Sequence, residues 1–543
     1  MNFKKVFSII LIFTLLLLLT QLNVFCQKTE PNSMRIGVTV EPDSLSPLIS
    51  YTQAGYEIFS VLYDSLVALD ENYEAVPDLA KEWTISDDKL EWTFKLRNDV
   101  KWHDGVPFTS EDVKFSYELM LANQLGMYAG YLTGIDSVEC PDDYTVIIKT
   151  LQPKANLLVL SAIILPKHIW SKVSADEYET WPNENPVGTG PFKFGEFKAG
   201  EYIKLVANDD YFEVRPYIDE LIYVFYANTN VMALSLKLRE IDAATNFSAN
   251  QLPFLKKNAN LEVISAVSLG FTDISFNCWQ DPASKGNPIL MDKKVRQAIE
   301  LCIDKQKILD MVYAGQGTVG TTLVPHEGFY HYEPAGNELR SYNLERAKKL
   351  LDDAGYKDND GNGIREDANG NELNFVFTLR AENTDEIKAG QMISSMVKEA
   401  GINLEIETVD DGVLIDKIYS GDFDMFIWGW GADLDPTTIL AVMSTDEIGN
   451  LSDCNYSNKE YDNLLVLQKT KMDPKERQQD VWKMQKILYE DAPYIILWYD
   501  NNLQAVNTEN WTGWKRIPEN GAFFFNLTTY NYKNVKPADG KEK

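Results

Sequence analysis

The stretch from Pro77 to Met120 constrains the fold more than any other part of this chain, because every local signal in it agrees. Leu90, Trp92, Phe94 and Leu96 alternate with Glu91, Thr93, Lys95 and Arg97, the period-two pattern of a strand with one buried face. Asn98-Asp99 makes a turn, and Val100-Lys101-Trp102 is expected to start a partner strand that the His103-Asp104-Gly105 corner ends. Thr109 stands as a helix N-cap with Asp112 three residues on, and Val113, Tyr117 and Met120 give that helix one apolar face.

Elsewhere the pattern alternates between the two periods. Short strands are expected at Met34 to Val40, Tyr144 to Thr150, Ile203 to Ala207 and Glu220 to Tyr226, and helices at Ile58 to Leu66, Val231 to Arg239, Lys294 to Cys302 and Leu344 to Ala354. Towards the C-terminus, strand-like Leu373 to Leu379, Leu404 to Val409 and Phe423 to Trp428 alternate with helical Asp385 to Ala400 and Val413 to Ser420. That alternation indicates an α/β lobe. The 543 residues are enough for about three to four domains and a deep cleft between them.

The chain carries 81 acidic residues against 51 basic ones, a net charge of −30. Such a balance argues against nucleic acid or an anionic membrane surface as partner. Residues 1–26 read as a signal peptide: Lys4-Lys5 precede an apolar run from Val6 to Thr20 that is short for a membrane span. Cys26 is either a lipid-attachment cysteine or the last residue before ordinary cleavage. The chain is therefore expected to be exported, in the periplasm or on the outer face of the cytoplasmic membrane, and either soluble or held by a lipid anchor alone. Cys140, Cys278, Cys302 and Cys454 form no C-x-x-C pair, so they are either buried thiols or bridges allowed by export.

Four segments invite a chemical reading. Gly315-Gln316-Gly317-Thr318-Val319-Gly320 matches a dinucleotide fingerprint but follows a helical stretch instead of a strand, which makes it a structural loop. His326 and His331 are five apart, so on a helix they point about 140° apart, and Pro325 and Gly328 weaken any helix there. Asp358, Asp360, Asn362 and Glu366 occupy ligand positions of a calcium loop with Gly363 close by, yet Asn369 stands where a bidentate glutamate belongs. Calcium and a solvated polar turn are the two readings. No nucleophile elbow, Walker loop or kinase set occurs, so no catalytic residue is named and enzymatic activity has no positive support. Trp428-Gly429-Trp430-Gly431-Ala432-Asp433 is the richest segment: two flat indoles, glycines that admit close backbone approach and a carboxylate, all at a strand end where α/β sheets open their crevices.

The first stretch, with Pro77-Asp78-Leu79-Ala80, Trp92-Thr93-Phe94, His103-Asp104-Gly105 and Glu111-Asp112-Val113, resembles the extracellular solute-binding proteins of family 5, the peptide-binding group of ABC importers. Gly188-Thr189-Gly190-Pro191-Phe192, Asn208 to Phe212, Val295 to Ile299 and Trp430 to Pro436 extend the resemblance over nearly the whole exported chain. It implies a two-lobed α/β clam of the periplasmic-binding type, with lobe I at 35–65, 187–270 and 496–543, an accessory subdomain at 66–186 and lobe II at 271–495. It further implies a monomer that closes over a short peptide and docks on a permease with ATPase subunits. Under it, Asp433 takes the peptide's α-ammonium, while the backbone around Trp430, Gly431 and Ala432 and around Tyr51, Thr52 and Gln53 pairs with the extended ligand; Trp428, Asn277 and Trp279 join the site. The segment between Asp433 and Pro436 is one residue shorter than in relatives. An oligosaccharide is the alternative ligand, with Trp279, Trp428 and Trp430 to stack on sugar rings. Nickel is disfavoured by four scattered histidines.

Overall fold

The computed structural model describes residues 31–50, 52–123, 125–159, 161–326, 328–381, 383–431, 434–519, 521–524 and 529–538. Its main feature is an 11-stranded sheet. Two strands, Leu261–Phe276 and Tyr494–Asn507, are antiparallel partners and serve both halves of that sheet. Residues 261–267 of the first pair with 501–507 of the second, next to Ala243–Thr245, Ser33–Val38, Glu220–Phe225, Tyr202–Ala207 and Phe192–Lys198. Residues 271–276 instead lie between Tyr494–Tyr499 and Met425–Trp430, followed by the parallel strands Asn374–Arg380 and Asn403–Val409. The register slips between Val267 and Phe271 and again between Thr272 and Asp273, the kind of bulge that bends a strand.

The two largest buried clusters fall on opposite sides of that slip. One contains Ile36, Phe59, Leu62, Trp92, Phe94 and Trp102; the other contains Ile274, Phe276, Ile299, Phe377, Ile427 and Leu497. Neither crossing strand carries a clean sequence period. Leu261–Phe276 passes from alternating burial to almost continuous burial along its length, as expected where a strand is covered on both faces. No helix among the described residues is long and apolar enough to cross a membrane.

Trp92, Phe94 and Leu96 face inward from the strand Glu91–Leu96, as their alternation requires. Its partners, however, are Ala80–Ile85 and Thr145–Thr150, not Val100 to Trp102. Those residues close on themselves: the Trp102 N–H donates to the Val106 carbonyl at 2.8 Å and the Phe108 N–H to the Val100 carbonyl at 3.2 Å, around Gly105 with φ +88°. The left-handed glycine makes the corner too tight to release a long strand. The helix Ser110–Asn123 follows, with the Asp112 carboxylate accepting from the Thr109 N–H at 2.9 Å.

His103 ties that corner to the glycine-rich crossing. Its Nδ1 accepts from the Gly188 N–H at 3.1 Å and its Nε2 meets the Gly190 carbonyl at 3.1 Å, which defines a neutral ring protonated on Nε2. A side chain at Gly188 would strike the Leu62 carbonyl, whose oxygen would be 1.8 Å from a Cβ there. So two distant sequence motifs meet as one packed joint.

Gly315 to Gly320 forms a loop with the two-residue strand Thr318–Val319. His331 is held by the Val324 carbonyl at 2.7 Å and by Glu333 at 2.9 Å. Cys140, Cys278, Cys302 and Cys454 are all free thiols, the last three buried.

Candidate functional site

The strand Met425–Trp430 lies inside the large sheet, flanked by Asn374–Arg380 and Leu261–Phe276. Alternation puts Trp428 and Trp430 on one face, beside their cross-strand partners Asp273 and Phe271. Both indoles are half-buried and already engaged. The Arg380 guanidinium sits 5.1 Å from the Trp428 ring, a cation–π arrangement, and Glu386 pairs with that guanidinium at 2.6 Å. The Trp430 indole donates to Asp453 at 2.5 Å. A side chain at Gly270, in the bulge of the crossing strand, would lie 2.8 Å from the Trp430 carbonyl, so the bend of the sheet touches the end of the strand Met425–Trp430 directly.

Beneath the indoles lies a buried acidic group. Burial pushes the Asp273 carboxyl up to about 7, against the hydrogen bond from Ser275 and the pull of Arg380. Asp453 is raised well above the carboxylate range by burial and by Asp273. Beyond the loop, Asp435 is buried and receives Arg477 at 2.5 and 2.8 Å through both of its oxygens. Burial alone would raise Asp435, but this fork holds it below its ordinary value. Asp435 also accepts from the Thr437 N–H at 2.9 Å, at the start of the helix Thr437–Val442, and from the Asn156 amide at 3.4 Å. The last contact links the segment after the loop to the chain that follows the four-stranded sheet.

Elsewhere, Thr52 caps the helix Gln53–Leu62 and shares Asp43 with Ser50, at 2.8 and 2.5 Å. The Tyr56 hydroxyl donates to the Ser50 carbonyl at 3.0 Å, and Gln53, exposed, reaches Glu57 at 3.2 Å. Ser50, Thr52 and Gln53 thus have their side chains occupied by the protein.

Two expected ligand residues do not join this set. Asn277 and Trp279 lie past the opposite end of the pairing strand, since Phe276 faces Met425 while Phe271 faces Trp430; five residues of strand put them about 17 Å away. Asn277 is fully buried, its amide donating to the Gly421 and Phe423 carbonyls at 3.0 and 2.9 Å and its oxygen accepting from the Trp279 N–H at 3.1 Å. Trp279 packs on Gly421, where a Cβ would come within 2.4 Å of the indole. Their role is to brace the turn before the strand Met425–Trp430. Asp433, Ala432, Tyr51 and Cys26 lie outside the described residues. Asp358, Asp360 and Glu366 converge with carboxylate oxygens within 4.8 Å of one another, whereas Asn362 is turned to Asp360 and Glu372 and Asn369 to Asp367.

Asp453, Arg380 and Arg477 carry no sequence signal for this site, because each arrives from a remote segment. Asp273 does carry one: a lone carboxylate in Gly270-Phe271-Thr272-Asp273-Ile274-Ser275-Phe276 is out of keeping with its apolar surroundings.

Half-buried indoles and buried carboxylates gather at the bend of a two-part sheet, features that a binding protein can use. The comparisons agree. The family model described as "Bacterial extracellular solute-binding proteins, family 5 Middle" matches residues 74–450, and the chain belongs to that family. The oligopeptide-binding protein AppA of Bacillus subtilis (strain 168) is 31% identical over 496 residues, 89% of each chain. The structure of AppA from Bacillus subtilis in complex with a nonapeptide superposes with a TM-score of 0.79 at 29% identity, covering 94% of this chain and 100% of that one. NikZ from Campylobacter jejuni in complex with Ni(L-His) gives 0.79 at 27% identity, over 93% and 100%. DppA from Helicobacter pylori in complex with the peptide STSA gives 0.76 at 26%, over 93% and 98%.

Proposed function

We propose that this chain is the extracytoplasmic receptor of an ABC importer, which captures a short peptide between its lobes and presents it to a membrane permease driven by ATPase subunits. The observation that carries this reading is the end-to-end similarity to an oligopeptide-binding protein whose fold is seen around a nonapeptide. The lobes bend at residues 268–270, where the register of the crossing strands slips, and ligand shifts the open and closed populations towards closed. Asp433 receives the peptide's α-ammonium, and backbone near Trp430 and near Thr52 and Gln53 extends the ligand as an added strand. The protein acts as an exported monomer, with residues 1–26 as its leader.

Calorimetry with a mixed peptide library, a cello- and manno-oligosaccharide panel and Ni(L-His) tests this. Heat with peptides is expected; silence with every peptide and clear sugar or nickel binding would sink the reading. Asp433→Asn is expected to weaken peptide binding by roughly 2–5 kcal/mol, and an unchanged affinity would remove that residue's role. In the sugar reading, Trp279 would stack while also packing on the turn at Gly421.

A further inference from the structure

Two cysteines far apart in the chain meet behind the strand Met425–Trp430. Cys278 comes two residues after the strand Leu261–Phe276, and its N–H donates to the Cys454 carbonyl at 2.8 Å. The covalent geometry on either side of a hydrogen bond of this length puts the two Cα atoms about 5.5–6 Å apart. That is the commonest Cα separation across a disulfide. Both residues are buried, Cys278 with 6% and Cys454 with 0% of its surface exposed, and both are free thiols.

The side chains are neighbours as well as the backbones. Burial raises the Cys454 thiol well above its ordinary value, and Cys278 raises it next, ahead of Asp453, the residue joined to it in the chain. Burial also raises Cys278. The Cys454 sulfur lies 3.6 Å from the Met443 sulfur, a weak contact that a rotation about χ1 gives up. Cys140 and Cys302 sit elsewhere: the first lies 3.2 Å from the Ser110 carbonyl, the second beside Lys348, Glu399 and Arg365.

We propose that Cys278 and Cys454 are joined by a buried disulfide when the chain folds outside the cytoplasm. The family is extracellular, and disulfides persist in such compartments. Buried thiols that hold their protons are poor nucleophiles, so the bond forms while the chain is still folding, with an organic disulfide as the oxidant. One cysteine thiolate attacks that disulfide and displaces a thiol; the second cysteine attacks the mixed disulfide and displaces the other. The oxidant takes both electrons, and the two protons lost by the cysteines end on the two released thiols. The new bond ties Cys454 to the end of the strand Leu261–Phe276, and with it the adjacent Asp453, which accepts from the Trp430 indole at 2.5 Å. The bridge does not depend on which solute the protein binds.

The test uses the full chain exported into an oxidising compartment. The protein is unfolded in guanidinium, alkylated without reductant, digested and mapped by mass spectrometry. Cys140 and Cys302 are expected to carry the label, and Cys278 and Cys454 to appear unlabelled in one cross-linked fragment. Label on all four, or a cross-link between any other pair, overturns the bridge. In Cys278→Ser, Cys454 is expected to become labelled, and in Cys454→Ser, Cys278; a partner still protected overturns it too. Each variant is expected to lower Tm by about 5–10 °C, and the double variant no further than either, since one bond is lost once. Losses that add would mean two separately packed thiols and would also overturn the bridge. Should the variants fail to fold, the map of the unaltered protein decides alone.

Discussion

Asp435 and Arg477 hold one another in a buried two-pronged ion pair, at 2.5 and 2.8 Å, just beyond the loop that carries Trp430. Neither side chain is more than 4% exposed. The pair fixes where the chain turns into the helix Thr437–Val442, and so where the loop's outgoing end lies.

Breaking one half of such a pair leaves a buried charge uncompensated. Arg477→Met is expected to lower the unfolding free energy by about 3–5 kcal/mol, read from urea denaturation, and Asp435→Leu combined with it to recover most of that loss. A double variant no better than the single one would show that Arg477 acts through packing instead.

Trp430 depends on Asp453 for its orientation, since the indole N–H has that carboxylate as its acceptor at 2.5 Å. Asp453→Asn retains an acceptor and is expected to keep ligand affinity within about two-fold. Asp453→Leu leaves the N–H unsatisfied and is expected to weaken ligand binding by about 1–3 kcal/mol, measured by calorimetry. Equal behaviour of the two variants would remove the positioning role.

Asp273 sets a pH dependence of definite sign. Its carboxyl is raised from 3.8 to about 7, first by burial. The stability it contributes is therefore complete below the unfolded value and is lost as pH rises to about 7. Asp273→Asn removes this term, so the variant is expected to gain on the unaltered protein between pH 4 and pH 7, by at most about 4 kcal/mol. Parallel stability curves across that range would contradict it.

His103 works in the opposite direction. Burial lowers its ring from 6.5 to about 4, against the hydrogen bond to Gly190. The stability it contributes is present above about 6.5 and is lost as pH falls towards 4. His103→Gln is expected to flatten this acid limb in thermal melts and to lower stability at pH 8 by about 1–2 kcal/mol through the weakened joint to Gly188 and Gly190.

The alternation of Trp92, Phe94 and Leu96 and the Thr109–Asp112 helix start were legible because each is a local pattern whose energetics are settled within a few residues. The neighbours of the strand Glu91–Leu96 were not, because Gly105 turns the chain back before a hairpin forms. Asn277 and Trp279 looked like ligand residues for a related reason. Their side-chain types suit a site, yet strand register places them at the end of Met425–Trp430 away from Trp430, with Asn277 bonded to the Gly421 carbonyl and Trp279 packed on Gly421.

By itself the sequence determined the α/β class and many of the local elements, such as the strand Glu91–Leu96 and the helix start at Thr109, which follow from side-chain period and turn chemistry along the chain. Only the tertiary structure decided that Leu261–Phe276 and Tyr494–Asn507 would join the two halves of one sheet, that Asp453 and Arg380 would meet the indoles, and that Arg477 would pair with Asp435 beyond them. Those contacts link residues up to hundreds of positions apart. Their free energy comes from burial and desolvation at the meeting point, which no local stretch of sequence contains.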